Sequence, residues 1–253
     1  MLSATNRIGE ILKNNNGTEM KIIAYTNSHN IIVKFLDGHG IETKTSYLNF
    51  LRGQVRNPYD RTVFGIGYLG EGEYKTKING RQTDEYRCWK RMMQRCYDSN
   101  YHLQYPSYKD CSVCAEWHNF RSFARWYSQN FYQMKDKIMC LDKDILNKGN
   151  KVYSPDNCIF VPNEINCTII NRSRDRGNFP VGVIAHENRY VAQCSSFNGK
   201  QKYIGTYDTP KEAFYGYKCY KENVIREIAD EYKLLIPDKL YNALINYKID
   251  IND

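Results

Sequence analysis

The spacing of the apolar residues changes twice along the chain, and this change most constrains the fold. Between residues 20 and 47, short apolar runs are separated by turn residues, a pattern typical of antiparallel strands. From Asp84 to about residue 131, apolar residues recur every three or four positions, as on one face of a helix. Strand-like runs return between residues 180 and 206. Strands and helices in separate blocks predict a fold of the α+β class.

The last block has the pattern of a three-stranded sheet followed by one helix. The dipeptide Asn198-Gly199 predicts a hairpin between the second and third strands. Thr209 has the features of a helix cap, because proline follows it and Glu212 stands three residues later. Three strands covered by one helix form a simple domain in which one face of the sheet is buried.

Composition and charge limit the class of protein. The mean hydropathy is −0.68 and no apolar run approaches the roughly 20 residues that span a bilayer, so no membrane partner is expected. The first residues lack a secretory pattern, and nine cysteines are an odd number, so we expect reduced thiols in a cytoplasm. Half of the net charge of +8 lies in residues 171–206, with six basic and two acidic residues, which favours a polyanionic partner.

The last block also resembles a known DNA-binding domain. The residues that carry the resemblance are Gly182-Val183, Tyr190-Val191-Ala192, the run from Tyr203 to Thr209, and Glu212-Ala213 with Tyr217. They resemble the plant ethylene-response-factor domain of the Apetala-two type, whose relatives also occur attached to phage and mobile-element nucleases. The resemblance implies that the sheet, rather than the helix, lies in the major groove of DNA.

The same resemblance implies which side chains contact DNA. These are Ile184, His186, Arg189, Ser195, Gln201, Lys202, Tyr203 and Thr206, with Tyr217 reaching a phosphate from the helix. The family usually has arginine, which reads guanine, at positions 184, 186 and 195, where this chain has isoleucine, histidine and serine. The domain is therefore expected to bind another duplex sequence, or to bind weakly through basic residues. Those residues are Arg172, Arg174, Arg176, Arg189, Lys200 and Lys202.

The middle block resembles the phage-encoded homing endonucleases of the HNH type. The residues that carry this resemblance are the run from Trp89 to Tyr97, the run from Cys111 to Trp117 with Phe120 and Phe123, Leu141 to Asp144, and Tyr153 to Cys158. The resemblance implies a ββα-metal finger with flanking helices. In such a finger a carboxylate and an Asn or His hold one Mg²⁺ or Mn²⁺ ion, and a neighbouring His activates water.

Mapped onto this chain, the resemblance places the catalytic site at Asp142, Lys143 and Asn157, with Asp144 as a further candidate. Asp142 and Asn157 would hold the metal ion, and Lys143 stands where the water-activating His is expected. Lysine is a poor base near neutral pH unless its pKa is lowered by several units. Two alternatives stay open: Asp144 or His118 activates the water, or the finger is degenerate and only binds DNA, with Asp142 and Asp144 as solvated carboxylates.

Four cysteines in this block form a possible zinc site. Cys111 and Cys114 have the spacing of a zinc knuckle, and Cys140 and Cys158 flank the predicted hairpin. Four thiolates could hold a structural zinc ion. Cysteine also packs as a small apolar residue in protein cores, so both interpretations stay open.

The sequence therefore predicts a multidomain α+β protein. Its predicted segments are a small antiparallel β module (1–62), a Gly-rich connector (63–83), the HNH-like nuclease segment (84–170), the Apetala-two-like domain (176–234) and a C-terminal tail (235–253). We expect metal-dependent cleavage or nicking of double-stranded DNA, at a site selected by the C-terminal domain, in the cytoplasm of a phage-infected bacterial host. The alternatives are a non-catalytic DNA-binding regulator and an inhibitor of a host factor.

Overall fold

A computed structural model of the chain describes residues 7–169, 179–195 and 201–252, apart from the side chain of Ser195. It contains both helices and sheets, so the predicted α+β class is confirmed. Arg172, Arg174, Arg176, Lys200 and the dipeptide Asn198-Gly199 lie outside the described residues. None of the described helices is long and apolar enough to cross a membrane.

The chain divides into two compact units, residues 1–129 and residues 130–253. The first unit begins with a four-stranded antiparallel sheet in sequential order. Its strands are β1 (Ile11–Lys13), β2 (Glu19–Asn27), β3 (Asn30–Phe35) and β4 (Glu42–Thr45), and helix α1 (Tyr47–Leu51) follows them. Alternate residues such as Met20, Ile22 and Val33 pack with Phe50 of α1 into a small core. Burial of one sheet face explains why the strands alternate between apolar and polar residues.

The rest of the first unit is mainly helical. Its elements are β5 (Lys77–Ile78), β6 (Arg81–Gln82), α2 (Asp84–Tyr97), α3 (Ser99–Gln104), β7 (Ser112–Val113) and α4 (Phe120–Asn130). The helical spacing of apolar residues predicts helix up to about residue 131, but α4 begins only at Phe120, after a 3₁₀ turn at Ala115–His118. The reason is Asn119, which has an extended backbone and whose side-chain oxygen accepts the N–H of Arg121 at 2.9 Å.

The second unit contains two sheets and three helices among its described residues. Strand β8 (Met139–Asp142) pairs antiparallel with β10 (Ile159–Pro162), and β9 (Val152–Tyr153) lies between them in the chain. Helix α5 (Asn163–Ile169) follows. The second sheet is antiparallel, in the order β11 (Val183–His186), β12 (Arg189–Ser195), β13 (Gln201–Tyr207). Helices α6 (Pro210–Tyr232) and α7 (Asp238–Ile245) complete the unit.

Helix α6 begins with the capping box that the sequence predicts. The Thr209 hydroxyl accepts the N–H of Glu212, and the Glu212 carboxylate accepts the N–H of Thr209, both at 3.2 Å. The helix covers one face of the three-stranded sheet with buried residues that include Ala213, Phe214 and Tyr217. The box therefore fixes where the chain turns from β13 into the helix that buries the sheet.

One hydrophobic core joins most elements of the second unit. It contains Ile159 and Val161 of β10, Ala192 of β12, Phe214 of α6 and Leu240 of α7, among other buried residues. Residues 235–252, which the sequence predicts as a tail, thus contain a helix and contribute to this core. The boundaries of the predicted segments stay a prediction.

Gly182 offers a test of how the sheet packs on α6. Its φ of +76° lies in the left-handed region, and a Cβ at this position would overlap the ring of Tyr217. Gly149 has a similar φ of +80° but no atom within 4 Å of such a Cβ. We expect Gly182→Ala to lower the free energy of unfolding by about 3 kcal/mol, because overpacking adds to backbone strain. Gly149→Ala should cost only about 1 kcal/mol.

Urea unfolding of the two variants measures this difference. Equal losses would contradict the packing of Tyr217 beneath Gly182.

Candidate cleavage loop and nucleic-acid interface

The predicted catalytic residues lie in one loop between β8 and β10, here called the finger loop (residues 142–157). Asn150 holds this loop closed: its amide N–H groups donate to the carbonyls of Lys143 at 2.7 Å and Val152 at 2.8 Å. Its side-chain oxygen accepts from the Asn157 amide at 3.3 Å, and Asn157 in turn accepts from Asn147 at 2.9 Å. Lys143 and Asn157 are thus linked through Asn150, which the sequence analysis did not single out.

Asp142 lies at the start of the finger loop, and its carboxylate contacts the backbone of that loop. One oxygen, Oδ1, accepts the backbone N–H groups of Asp144 and Ile145, both at 2.8 Å. Burial, together with the charge of Asp144, raises the pKa of Asp142 to about 6. The loop therefore brings the Asp144 carboxylate close to a partly buried Asp142, where its charge disfavours the ionised form of Asp142.

Lys143 is buried, with 7% of its surface exposed. Its Nζ donates to the Asp144 carboxylate at 3.2 Å and to the carbonyl of Asn150 at 3.0 Å. Both contacts use N–H groups of the Lys143 side chain. Lys143 therefore helps to hold the loop, and its part as a base stays a prediction.

His118, the histidine considered as an alternative base, belongs to the first unit. Its Nε2 lies 3.0 Å from the carbonyl oxygen of Val113 and 3.3 Å from the hydroxyl of Tyr97. The Tyr97 hydroxyl also accepts the N–H of Val113 at 3.0 Å. These contacts assign this nitrogen a local structural role, and its part in catalysis stays a prediction.

The four cysteines of the possible zinc site fall into both units. The thiol of Cys111 donates to the carbonyl of Ser107 at 3.8 Å, and that of Cys140 donates to the Asn163 side chain at 3.4 Å. Burial raises the pKa of the Cys114 thiol, and Cys158 is also buried. In the described part of the chain, no group of three His, Cys, Asp or Glu residues could hold a metal ion. The zinc site stays a prediction.

The second candidate region is the face of the β11–β13 sheet that α6 does not cover, here called the outer face. Val183 and Ala192 point into the core under α6, and their strand neighbours therefore point outward. The register places Ile184, Val191 and Thr206 side by side in one row across the three strands. Ile184 is 42% exposed, as a side chain on the outer face is expected to be.

A β-bulge sets which residues of β13 join the outer face. Strict alternation would place Tyr203 and Thr206 on opposite faces, because they are three residues apart. The register shifts so that Ala192 pairs with Gly205 but Gln193 pairs with Tyr203, which leaves one extra residue in β13. Tyr203 and Thr206 therefore share a face, and their hydroxyls lie 2.9 Å apart. Gln193 pairs with Tyr203 on this face. It was not among the predicted contact residues, although it stands two positions after Val191 and so lies on the same side of the strand.

The remaining predicted contact residues have different surroundings. His186 pairs with Arg189 at the hairpin end, where the Arg189 guanidinium lies 2.9 Å from the Asp208 carboxylate. At the other end Gln201 pairs with Ser195, whose side chain is outside the described residues. Lys202 pairs with Cys194, on the side of the sheet that α6 covers. Tyr217 is only 5% exposed and packs beneath Gly182, so its position does not support the predicted phosphate contact.

Three comparisons with known proteins add no relative. No protein-family model matches the chain, and no curated protein or solved structure matches it either. The resemblances to HNH endonucleases and to the Apetala-two type of domain therefore stay predictions.

The raised pKa of Asp142 predicts a dependence of stability on pH. Between the ordinary carboxyl pKa and about 6, the folded state binds more protons than the unfolded chain, so stability falls as the pH rises through this window. Asp142→Asn keeps the Oδ1 acceptor and removes the charge. We expect this substitution to raise the free energy of unfolding by about 1 to 2 kcal/mol more at pH 7 than at pH 4.

Urea unfolding at both pH values, with a chelator present, measures this gain. Asp156→Asn, at an exposed position of the same loop, is the matched control and should show no comparable gain. If Asp142→Asn raised the free energy of unfolding equally at pH 4 and pH 7, the raised pKa of Asp142 would be contradicted.

Proposed function

We propose that the protein binds double-stranded DNA through the outer face and cleaves or nicks it at the finger loop with a divalent cation. The observation that carries the catalytic part is the closed finger loop. It gathers the carboxylates of Asp142 and Asp144, the ammonium of Lys143 and the amide of Asn157 into one hydrogen-bonded segment. A phage or mobile-element nuclease in a bacterial host is the setting that this proposal implies.

The donor set of the finger loop suits a hard cation. Carboxylate and amide oxygens are the ligands that Mg²⁺ and Mn²⁺ prefer, and Asp142, Asp144 and Asn157 provide them. Asn157 Oδ1 accepts one hydrogen bond, from Asn147, and so keeps a second lone pair. When bound, the ion would neutralise the charge that develops on the scissile phosphate.

The chain's own residues would prepare the site for a phosphate. Asn150 keeps the two ends of the loop together, which limits the reorganisation needed on binding. Lys143 brings a positive charge next to Asp144, 3.2 Å away, and offsets part of the negative charge there. The attacking water needs another base in this proposal, because the Lys143 ammonium donates its hydrogen bonds within the loop.

DNA binding is supported by charge and by the shape of the outer face. Residues 171–206 have six basic and two acidic residues, and the outer face presents side chains from three antiparallel strands, with Ile184 and Tyr203 exposed. Strands can enter the major groove and present alternate side chains to base edges.

A non-catalytic DNA-binding regulator is the second candidate, and one observation favours it. Lys143 and Asn157 already have hydrogen-bond partners within the loop, as a degenerate finger that serves only structure would require. The two candidates share the outer face and differ only in whether the finger loop cleaves.

A nicking assay on supercoiled plasmid separates these candidates. With Mg²⁺ or Mn²⁺, the wild-type protein should convert the plasmid to nicked or linear product, and Asp142→Asn should reduce the rate by about 100-fold, because the metal site loses a negative charge. The loop keeps its hydrogen bonds in this variant, so DNA affinity should change little. Asp156→Asn is the matched control and should keep full activity.

Binding to a labelled duplex is measured in parallel, over a series of salt concentrations. The affinity should fall steeply with salt, because phosphate contacts release counterions. DNA binding without cleavage under any divalent ion would reject the nuclease and support the regulator. No binding to duplex DNA would reject both, and would leave the interaction with a host factor.

A further inference from the structure

The centre of the outer face consists of two neighbouring rows of side chains. One row is Ile184, Val191 and Thr206, which all present methyl groups. The next row is Gln193 beside Tyr203, and the Tyr203 ring is 61% exposed. The centre is therefore apolar on one side and amide-bearing on the other, with no formal charge among these five side chains.

The methyl groups of the first row and the amide of Gln193 have matching partners on an A·T base pair in the major groove. Thymine presents its C5 methyl group there, which apolar side chains and threonine methyl groups contact. Adenine presents an acceptor and a donor that the amide of glutamine can pair with at the same time. A G·C pair offers no methyl group to the first row and a different donor and acceptor pattern to the second.

Guanine is read most often by an arginine or lysine fork, and the described outer face lacks one at its centre. Arg189 lies at the hairpin end, and its guanidinium is paired with Asp208 at 2.9 Å. Lys202 belongs to the side of the sheet that α6 covers. Neither of these two cations lies in the central rows, and Arg189, at the hairpin end, suits a phosphate better than a base edge.

The spacing of the rows fits consecutive positions on a duplex. On β12 the two rows, at Val191 and Gln193, are two residues apart, which is about 6.6 Å. Two base-pair steps span about 6.8 Å at 3.4 Å per step. The two central rows therefore face about three base pairs when the strands run along the groove.

From these features we infer that the outer face selects A·T-rich duplex DNA, with Ile184, Val191, Thr206 and Gln193 as the residues that determine the preference. This inference rests on the proposed binding of duplex DNA by the outer face. It names the class of sequence that the protein recognises.

Selection from a library of duplexes with a randomised centre tests the inference. The full-length protein is incubated with the library in a chelator, so that DNA is bound but not cut, and the retained duplexes are sequenced. We expect at least three consecutive positions enriched in A·T pairs. A purified A·T-centred duplex should bind about tenfold more tightly than the same duplex with a G·C centre.

A substitution on the outer face provides the second arm. Ile184→Arg places a guanidinium fork in the central row, at a position exposed enough to accept it, and should shift one selected base pair from A·T to G·C. Tyr215→Arg adds the same charge at a half-exposed site on α6 and is the matched control. It should leave the base preference unchanged. Unfolding curves for both variants confirm that each is folded.

The outcomes separate this inference from the proposed function. Tight, salt-sensitive binding with no base preference, or with a preference for G·C, would overturn the inference and leave DNA binding in place. An unchanged preference in a folded Ile184→Arg variant would also overturn it, because the central row would then not face the bases. Absence of binding to every duplex would overturn the proposed function itself.

Discussion

The core beneath α6 is the constraint on which both candidate regions of the second unit depend. Ile145 of the finger loop and Ala192 of the outer sheet are buried in this same core, together with Phe214 of α6 and Leu240 of α7. Protein interiors are packed as tightly as organic crystals, so a displaced core residue displaces its neighbours. The loop and the sheet are therefore parts of one packed body.

Polar contacts from the C-terminal residues add to this packing. Lys239 of α7 donates to the carbonyl of Asp156 at 3.0 Å, and Lys148 donates to the carbonyl of Lys248 at 2.8 Å, so two points of the finger loop are held from the C-terminal side. Glu222 of α6 is nearly buried and accepts the N–H of Ile249 at 3.0 Å. Burial alone would raise the pKa of Glu222, but the Ile249 N–H and the Lys218 ammonium outweigh it and lower the pKa. The ionised Glu222 carboxylate thus binds the backbone of Ile249 to α6.

Local signals predicted the elements well, and long-range contacts account for what was missed. The box of Thr209 and Glu212 was predictable because both hydrogen bonds form within four residues of the chain. The bulge that brings Tyr203 and Thr206 to one face depends on the pairing of β13 with β12, and no pattern within β13 reports it. Asn150 was overlooked in a loop of common turn residues, since its importance lies in partners up to seven positions away. The resemblance implies that Tyr217 contacts a phosphate, and this stays a prediction; that its ring packs beneath Gly182 follows from a long-range contact.

A shared core also limits how recognition and cleavage can be related in the proposed function. In a nuclease whose DNA-binding and catalytic domains are joined by a flexible linker, the end-to-end distance of the linker varies. The catalytic domain can therefore reach many different phosphates. Here the finger loop reaches the core through Ile145 and through β10, and the outer sheet reaches it through Val183 and Ala192. The scissile phosphate would then lie at one fixed distance from the base pairs read by the outer face. The packing of apolar residues, rather than any residue of the finger loop itself, would set the position of the cut relative to the recognised sequence.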